Sequence, residues 1–377
     1  MNMTKLPFLA PWLIATSAIT FATPALSANE TEYSFGGSIN TVFLFDSNVS
    51  GAGANIPADA LYKKETYGDN KIDATLSQLS AGVKRTLNDG STISARYVMD
   101  FNAKNDSSVS PRIREAYLRW NKGSGQIIAG QTWSTLMDIR NLPISVTEPT
   151  FSGVAFMRQP QLRWSQSFDT FKYEVAIEDG SNADIVRETG EDVKLDKSTL
   201  DLIAAADWDF SANGHVRLTG LLSEKTLHMG GQEHDELGYA LQLSMVYNIT
   251  EKDKVSLVGF HGKGVDRYVL GVSQTGATWN GDDQELELRT VDGAMAAYTR
   301  TWQPDLLSVF GVGSAETDPL EWQKDTFTYT RYAMANLIWE AYSNIYLGLE
   351  YNYSYYERDT GDELDNHRIA VGVNWKF

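Results

Sequence analysis

No cysteine occurs among the 377 residues of this chain, which excludes disulfides and any thiolate-based zinc or redox centre. Histidine is nearly as scarce: the five present are scattered, and none falls in a recognisable catalytic pattern. Positive charge is in short supply, with 32 Lys and Arg against 49 Asp and Glu and a net charge of -17. A nucleic-acid partner, which calls for a basic face, is therefore not expected. Long apolar runs are missing as well. Beyond the first residues nothing approaches the ~18 apolar positions in a row that suggest a membrane helix.

Those first residues read as a secretory signal. Lys5 supplies the charge, an apolar stretch broken by Pro7 and Pro11 runs from Leu6 to Phe21, and small residues surround Ala25-Leu26-Ser27-Ala28. Cleavage is expected after Ser27 or Ala28, giving a signal peptide over 1–28 and an exported domain over 29–377.

What the chain does have is aromatic side chains, 11% of it, and a strong period of two. In the last ten residues, "RIAVGVNWKF", Ile369, Val371, Val373, Trp375 and Phe377 share one parity, opposite Arg368, Ala370, Gly372, Asn374 and Lys376. The same alternation recurs around Phe35–Phe45, Ile93–Phe101, Phe171–Ile177, Leu200–Trp208, Leu237–Tyr247 and Ile345–Tyr355. Counting weaker examples, about sixteen strands are predicted. Tight links such as "NDG" at Asn88, "SANG" at Ser211 and "QPD" at Gln303 alternate with long acidic ones such as "RETGEDVKLDK" from Arg187 and "TWNGDDQELE" from Thr278.

Trp120, Trp164, Trp208, Trp302 and Trp339 each stand shortly before a tight link, and Trp375 and Phe377 close the series. One belt at one membrane interface follows from this placement. A soluble sandwich or propeller also alternates, but it has no need to gather its tryptophans at one set of turns. The expected fold is therefore all-β: a transmembrane antiparallel barrel of about sixteen strands in the bacterial outer membrane, surrounded by outer-membrane lipid and lipopolysaccharide. The terminal strand should close it against the first.

One long link differs from the others. After "GQIIAG", residues Gln131 to Trp164 include Leu136, Met137, Ile139, Phe151, Val154, Phe156 and Met157, an apolar content that an external loop has little use for. Folded into the lumen, such a segment buries one side on the wall and lines a passage with the other. A constriction loop over about 134–158, the third, is predicted.

The stretch Gly130-Gln131-Thr132-Trp133-Ser134, with Asp138 four residues on, then Phe151, Gly153 and "RQPQLRW" from Arg158, resembles the DcaP-like trimeric porins of Gram-negative outer membranes. The resemblance covers nearly the whole chain. It implies a sixteen-stranded homotrimer whose third loop narrows each pore, and passive uptake of small anions such as dicarboxylates. It also implies pore roles for Trp133, Asp138 and Arg114, and Arg140 and Arg158 join them because they flank the inserted loop. The family's basic run before an Ala-Tyr pair is here "RIREAYLRW", with Glu115 intervening.

Parity supplies lumen candidates independently. Arg96 and Arg163 fall opposite clear apolar faces, and so do the secondary candidates Lys172, Arg217 and Arg368. Asp100, Glu174, Asp201 and Glu350 do likewise, so a lumen of mixed sign is expected. After Pro111 both parities are charged, and Arg112 and Arg114 point inward only if Ala116 and Leu118 do. "NGDDQELE" matches no defined ligand motif, so neither metal nor cofactor is expected. Three functions compete: a passive pore, preferring anions or else general-diffusion or cation-preferring; a barrel hydrolase, which would need nucleophile, base and orienter together; and an energised receptor, which would need about 22 strands and a plug. The pore, with no catalytic residue, fits best.

Overall fold

The computed structural model describes residues 31–48, 68–103, 110–180, 185–187, 194–195, 200–229, 231–272, 276–322 and 326–377. The expected signal segment lies outside the described residues, as does most of the link from Arg187. Sixteen antiparallel strands close into a barrel. β1 is Thr31–Asp46, and β2 comes in two pieces, Asp69–Asp73 and Gln78–Thr86. Then follow β3 (Thr92–Ala103), β4 (Ser110–Lys122), β5 (Gly125–Trp133), β6 (Arg158–Phe168), β7 (Phe171–Asp179) and β8 (Leu200–Ser211). The second half holds β9 (Gly214–Met229), β10 (Gln232–Asn248), β11 (Asp253–Lys263) and β12 (Thr290–Gln303). It ends with β13 (Leu306–Thr317), β14 (Phe327–Tyr342), β15 (Ile345–Arg358) and β16 (Glu363–Lys376).

Closure has a simple cause. An unpaired backbone group in hydrocarbon costs several kcal/mol, so a membrane sheet cannot keep an edge. β16 therefore pairs with β1 from Ser38↔Lys376 to Asp46↔Arg368. Beyond it, Phe377 and Gly37 exchange backbone bonds at 2.9 and 3.1 Å. A side chain on Gly37 would put its Cβ 2.4 Å from the Gln78 carbonyl, so this position accepts no larger residue without movement. Where β2 breaks, the Ser77 hydroxyl bonds both N–H and C=O of Asn40 and stands in for the missing ladder.

The period of two places one parity outward. Phe35, Ile39, Tyr97, Val175, Leu202, Leu243, Leu349 and Val371 are all exposed on the barrel's outside, as lipid requires. Trp120, Trp164, Trp208, Trp302, Trp339 and Trp375 are exposed there too, at the end with the tight turns. Phe171 stacks on Trp208 within this girdle, 5.8 Å between centroids. Among the described residues no helix is long and apolar enough to cross a membrane.

Inside, the wall is divided. From β3 to β9 it carries charge: Arg96, Asp100, Arg114, Glu174, Asp201, Asp207 and Arg217. From β11 to β14 it is largely apolar, with Val258, Met295, Val309, Met334 and Ile338 buried in one cluster beneath the third loop.

One sequence expectation is extended. The link from Thr278 is not simply a polar external loop, because Ala277–Asn280 and Glu285–Leu288 form a hairpin. Its Ala277, Trp279, Leu286 and Leu288 pack with Leu227 of β9. Two strands of four residues are too short for their alternation to stand out among the surrounding acids.

Candidate functional site

The third loop, residues 134–157, leaves β5 and crosses the lumen along the inner wall. At its root the Trp133 ring packs edge-on to Phe156 at 5.0 Å and is covered by the Arg158 guanidinium, 3.3 Å from its centroid. A cation over an indole face is attracted by the ring quadrupole, so this pair ties the two ends of the loop together. Thr135 N–H donates to Glu178 at 2.6 Å, and Arg217 donates to the Thr135 carbonyl at 2.6 Å.

Asp138 caps the short turn Ile139–Asn141 by accepting from Arg140 N–H. Its other oxygen accepts from Ser244 at 2.6 Å and lies 3.0 Å from His215 Nε2. Burial pushes the Asp138 carboxyl up, but His215 and Ser244 outweigh burial and hold it below the usual carboxylate range. Both Ser244 and His215 bond to this carboxylate, so the three residues anchor the loop to the wall. Arg140 is held by Asp207 at 2.8 Å and Asp209 at 2.9 Å.

Further along, Asn141 donates to the carbonyls of Met245 and Leu257, which bridges the loop to β10 and β11. Glu350 of β15 accepts from Val146 N–H at 2.7 Å, Ser145 at 2.9 Å and Thr147 at 3.0 Å. Val146 itself sits in a hollow made by Gly348 and Gly372, which oppose each other across β15 and β16. A Cβ on either glycine would come within 2.5 Å of a Val146 methyl group. Phe151 meets Tyr332 edge-on at 5.1 Å.

A polar cavity remains on the other side of the loop. Ser145, Thr147 and Glu148 face Ser38, Asn40, Gln78, Arg96, Glu115, Arg114, Arg158, Asn374 and Lys376 across it. Four cations, Arg96, Arg114, Arg158 and Lys376, stand here against two carboxylates, Glu115 and Glu148. Arg96 pairs with Glu115 at 2.9 Å. Arg114 reaches Asp100 at 2.5 Å and Glu148 at 3.2 Å, and Arg112 reaches the same two acids. Burial alone would raise the Glu148 carboxyl, but Arg114, Arg158 and Arg112 together hold it below its ordinary range.

Arg114 arrives here by a device that parity hides. Val98 opposes Glu115 while Met99 opposes Ile113, so one extra residue is inserted in β4. Such a bulge resets the alternation. The expectation that Arg112 and Arg114 turn inward only with Ala116 and Leu118 is thereby corrected: Arg114 is 3% exposed in the lumen while Leu118 is 54% exposed on the outside.

The other candidates lie elsewhere on the wall. Arg163 and Arg119 flank Ile128 on strands two apart, and the Nε of each is buried without a hydrogen-bond partner. Lys172 pairs with Glu174 at 2.7 Å, and Arg217 is locked between Glu174 at 2.7 Å and Asp207 at 2.6 Å. Arg368 pairs with Asp46 at 2.7 Å near the loop end of the seam, away from the cavity.

The family model described as DcaP outer membrane protein matches residues 16–376. The chain belongs to this family. Among solved structures it is similar to the outer membrane channel DcaP of Acinetobacter baumannii, at 18% identity over 92% of this chain and 97% of that one, with a TM-score of 0.80. It is also similar to the anion-selective porin from Comamonas acidovorans, at 10% identity over 92% and 100% of the two chains and a TM-score of 0.62. The trimer form of OmpT of Vibrio cholerae follows at 12% identity over 92% and 99%, TM-score 0.58. No curated protein sequence matches the chain. Family and fold agree on an outer-membrane porin barrel.

Within this family fold, residues beyond the sequence candidates stand out. Glu148 and Lys376 line the cavity, Asn336 joins the parity-assigned Glu350 in holding the loop tip, and Arg119 adds a lumen cation. A signal for the loop's bed was available: "MAAY" and "LLSVFGVG" carry apolar residues on both parities, which one lipid face cannot explain.

Proposed function

We propose that this chain is a passive channel for small hydrophilic solutes, assembled as a homotrimer in the outer membrane and preferring anions such as dicarboxylates. The observation that carries the reading is the cavity beside the third loop, which we read as the narrows of the passage and where four cations meet two carboxylates. The excess is local. The strongly negative whole-chain charge acts mainly from elsewhere, and exposed charges are screened over roughly 8 Å at physiological salt. A guanidinium fork also matches a carboxylate geometrically, which favours dicarboxylates over halide. The anion selectivity named for the Comamonas acidovorans porin and the trimer form named for OmpT support this reading by likeness.

A cation-preferring or general-diffusion pore is the second reading, favoured by the pairing of Arg96 with Glu115 and of Arg114 with Asp100. Reversal potential across a planar bilayer in a KCl gradient separates the two. Chloride preference with conductance steps in threes supports the proposal, and potassium preference replaces it with the second reading.

A further inference from the structure

A second loop enters the lumen. Between β11 and β12, residues 264–272 run inward, and Val265, Tyr268, Val269 and Val272 are buried against Leu136 and Ala155 of the third loop and Ile203, Leu221 and Phe260 of the wall. This arm and the third loop form a short antiparallel ladder. Phe156 N–H donates to the Tyr268 carbonyl at 2.9 Å, Gly153 N–H to Leu270 at 3.0 Å, and Leu270 N–H to Val154 at 3.0 Å, with Ala155 opposite Val269. Gly271, at φ +84°, allows the crossing, since a Cβ there would lie 2.6 Å from Ser152 Oγ.

Side chains reinforce the ladder. Tyr268 accepts from Gln159 at 2.7 Å and donates to Asp201 at 2.6 Å. Arg267 donates to Gln159 at 2.9 Å and is ion-paired with Asp201. The third loop thus has its tip fixed by β15 and its returning half fixed by another loop.

One group in the arm is out of keeping. Asp266 is 1% exposed, and neither of its oxygens has a hydrogen-bond partner on another residue; only its own backbone N–H lies near enough to favour the charged form. A buried carboxylate without donors is costly when ionised and cheap when protonated. The charged groups facing it are Arg289 at the loop's return and Lys225 on β9, with Arg267 and Asp201 beyond Lys225. Burial outweighs Arg289, the residue's own backbone N–H and Lys225, and pushes the carboxyl up to about 7.

We propose that the β11–β12 loop is a clasp on the constriction, holding the third loop across the lumen, and that Asp266 makes its docking proton-dependent. The inference rests on the channel reading above for its consequence, but not for its geometry. The sign follows from linkage. Released, Asp266 would titrate near 3.8; docked, near 7. Docking is therefore strongest in acid, weakens by roughly tenfold per pH unit across that window, and levels off above it. Near neutral pH the clasp is loosest, and the third loop is freest to move.

Because the chain has no cysteine, an Ala155→Cys/Val269→Cys variant tests the clasp directly. Opposed residues of an antiparallel pair have Cα atoms about 4.5–5.5 Å apart, within disulfide range. In bilayer recordings, the unmodified channel should show open-state fluctuations that grow between pH 4 and pH 7. The oxidised variant should be quiet throughout, reduction should restore the fluctuations, and Asp266→Asn should flatten the pH response. Identical traces for oxidised and reduced variants, or an Asp266→Asn channel that keeps the pH response, would overturn the proposal. Docking is also read without conductance, as maleimide reactivity of the Val269→Cys thiol at pH 7.5 with and without Asp266→Asn. Slower labelling in the asparagine background supports the clasp, and equal rates sink it. Assembled protein that never conducts removes the channel reading alone, and the labelling result then decides the clasp.

Discussion

Replacing Glu148 by glutamine removes one negative charge from the passage at nearly constant volume. The carboxylate lies 3.2 Å from Arg114, 3.5 Å from Arg112 and 3.8 Å from Arg158, while Asp100 still pairs with both Arg112 and Arg114 after the change. Of the two carboxylates lining the passage against four cations, one is lost. An ion passing about 6 Å away in a water-filled channel feels a unit charge with ~0.7 kcal/mol, of opposite sign for chloride and potassium, so their permeability ratio should change by about 1.4 kcal/mol, or about tenfold. Recordings belong at ~0.1 M salt, where the Debye length is ~10 Å rather than the ~3 Å of 1 M. The reversal potential of Glu148→Gln should move toward chloride, with conductance little changed. A shift toward potassium, or none, refutes the placement of Glu148 at the narrows. The pH dependence follows from the depressed carboxyl: it is charged above its ordinary value of 4.5 and loses charge only as pH falls through its lower value in the pore. In an Asp266→Asn background, where the clasp no longer titrates, selectivity should therefore be flat from pH 5 to pH 8 and approach that of the Glu148→Gln variant only in stronger acid.

Alanine at Arg96, Arg114 and Arg163 together should move the reversal potential toward potassium and slow dicarboxylate uptake into liposomes; unchanged selectivity would leave those side chains a structural role only. Deleting Trp375 to Phe377 removes the seam bonds to Gly37 and the end of the belt, and each unpaired backbone group in lipid costs several kcal/mol. Little heat-resistant oligomer should form, as read on unheated gels, and normal amounts would count against the seam argument. Gly348→Val fills the hollow that receives Val146, where even a Cβ would sit 2.4 Å from a methyl group. The loop tip should be displaced into the passage, and single-channel conductance should change while the oligomer stays intact; an unaltered conductance would mean the tip does not border the ion path.

Much of this architecture was present in the order of residues. The period of two in Ile369–Phe377 and Leu237–Tyr247, the tryptophans before tight turns, and the apolar content between Gln131 and Trp164 determined a barrel, its belt and its inward loop, because lipid on one side and water on the other write themselves into every second position. Parity also put Arg96 and Arg163 on the lumen wall. It failed at Arg114, where one inserted residue shifts the phase, and at the hairpin around Trp279, whose strands are too short to show a period. Partner choice was beyond sequence reading altogether. Arg217 with Glu174, Arg140 with Asp207, Val146 with Gly348 and Ala155 with Val269 are brought together only when the sheet closes and two loops fold back inside it. A period is a local property of a strand, but an ion pair or a clasp depends on strand register and on loops tens to hundreds of residues apart, and these the tertiary structure alone decides.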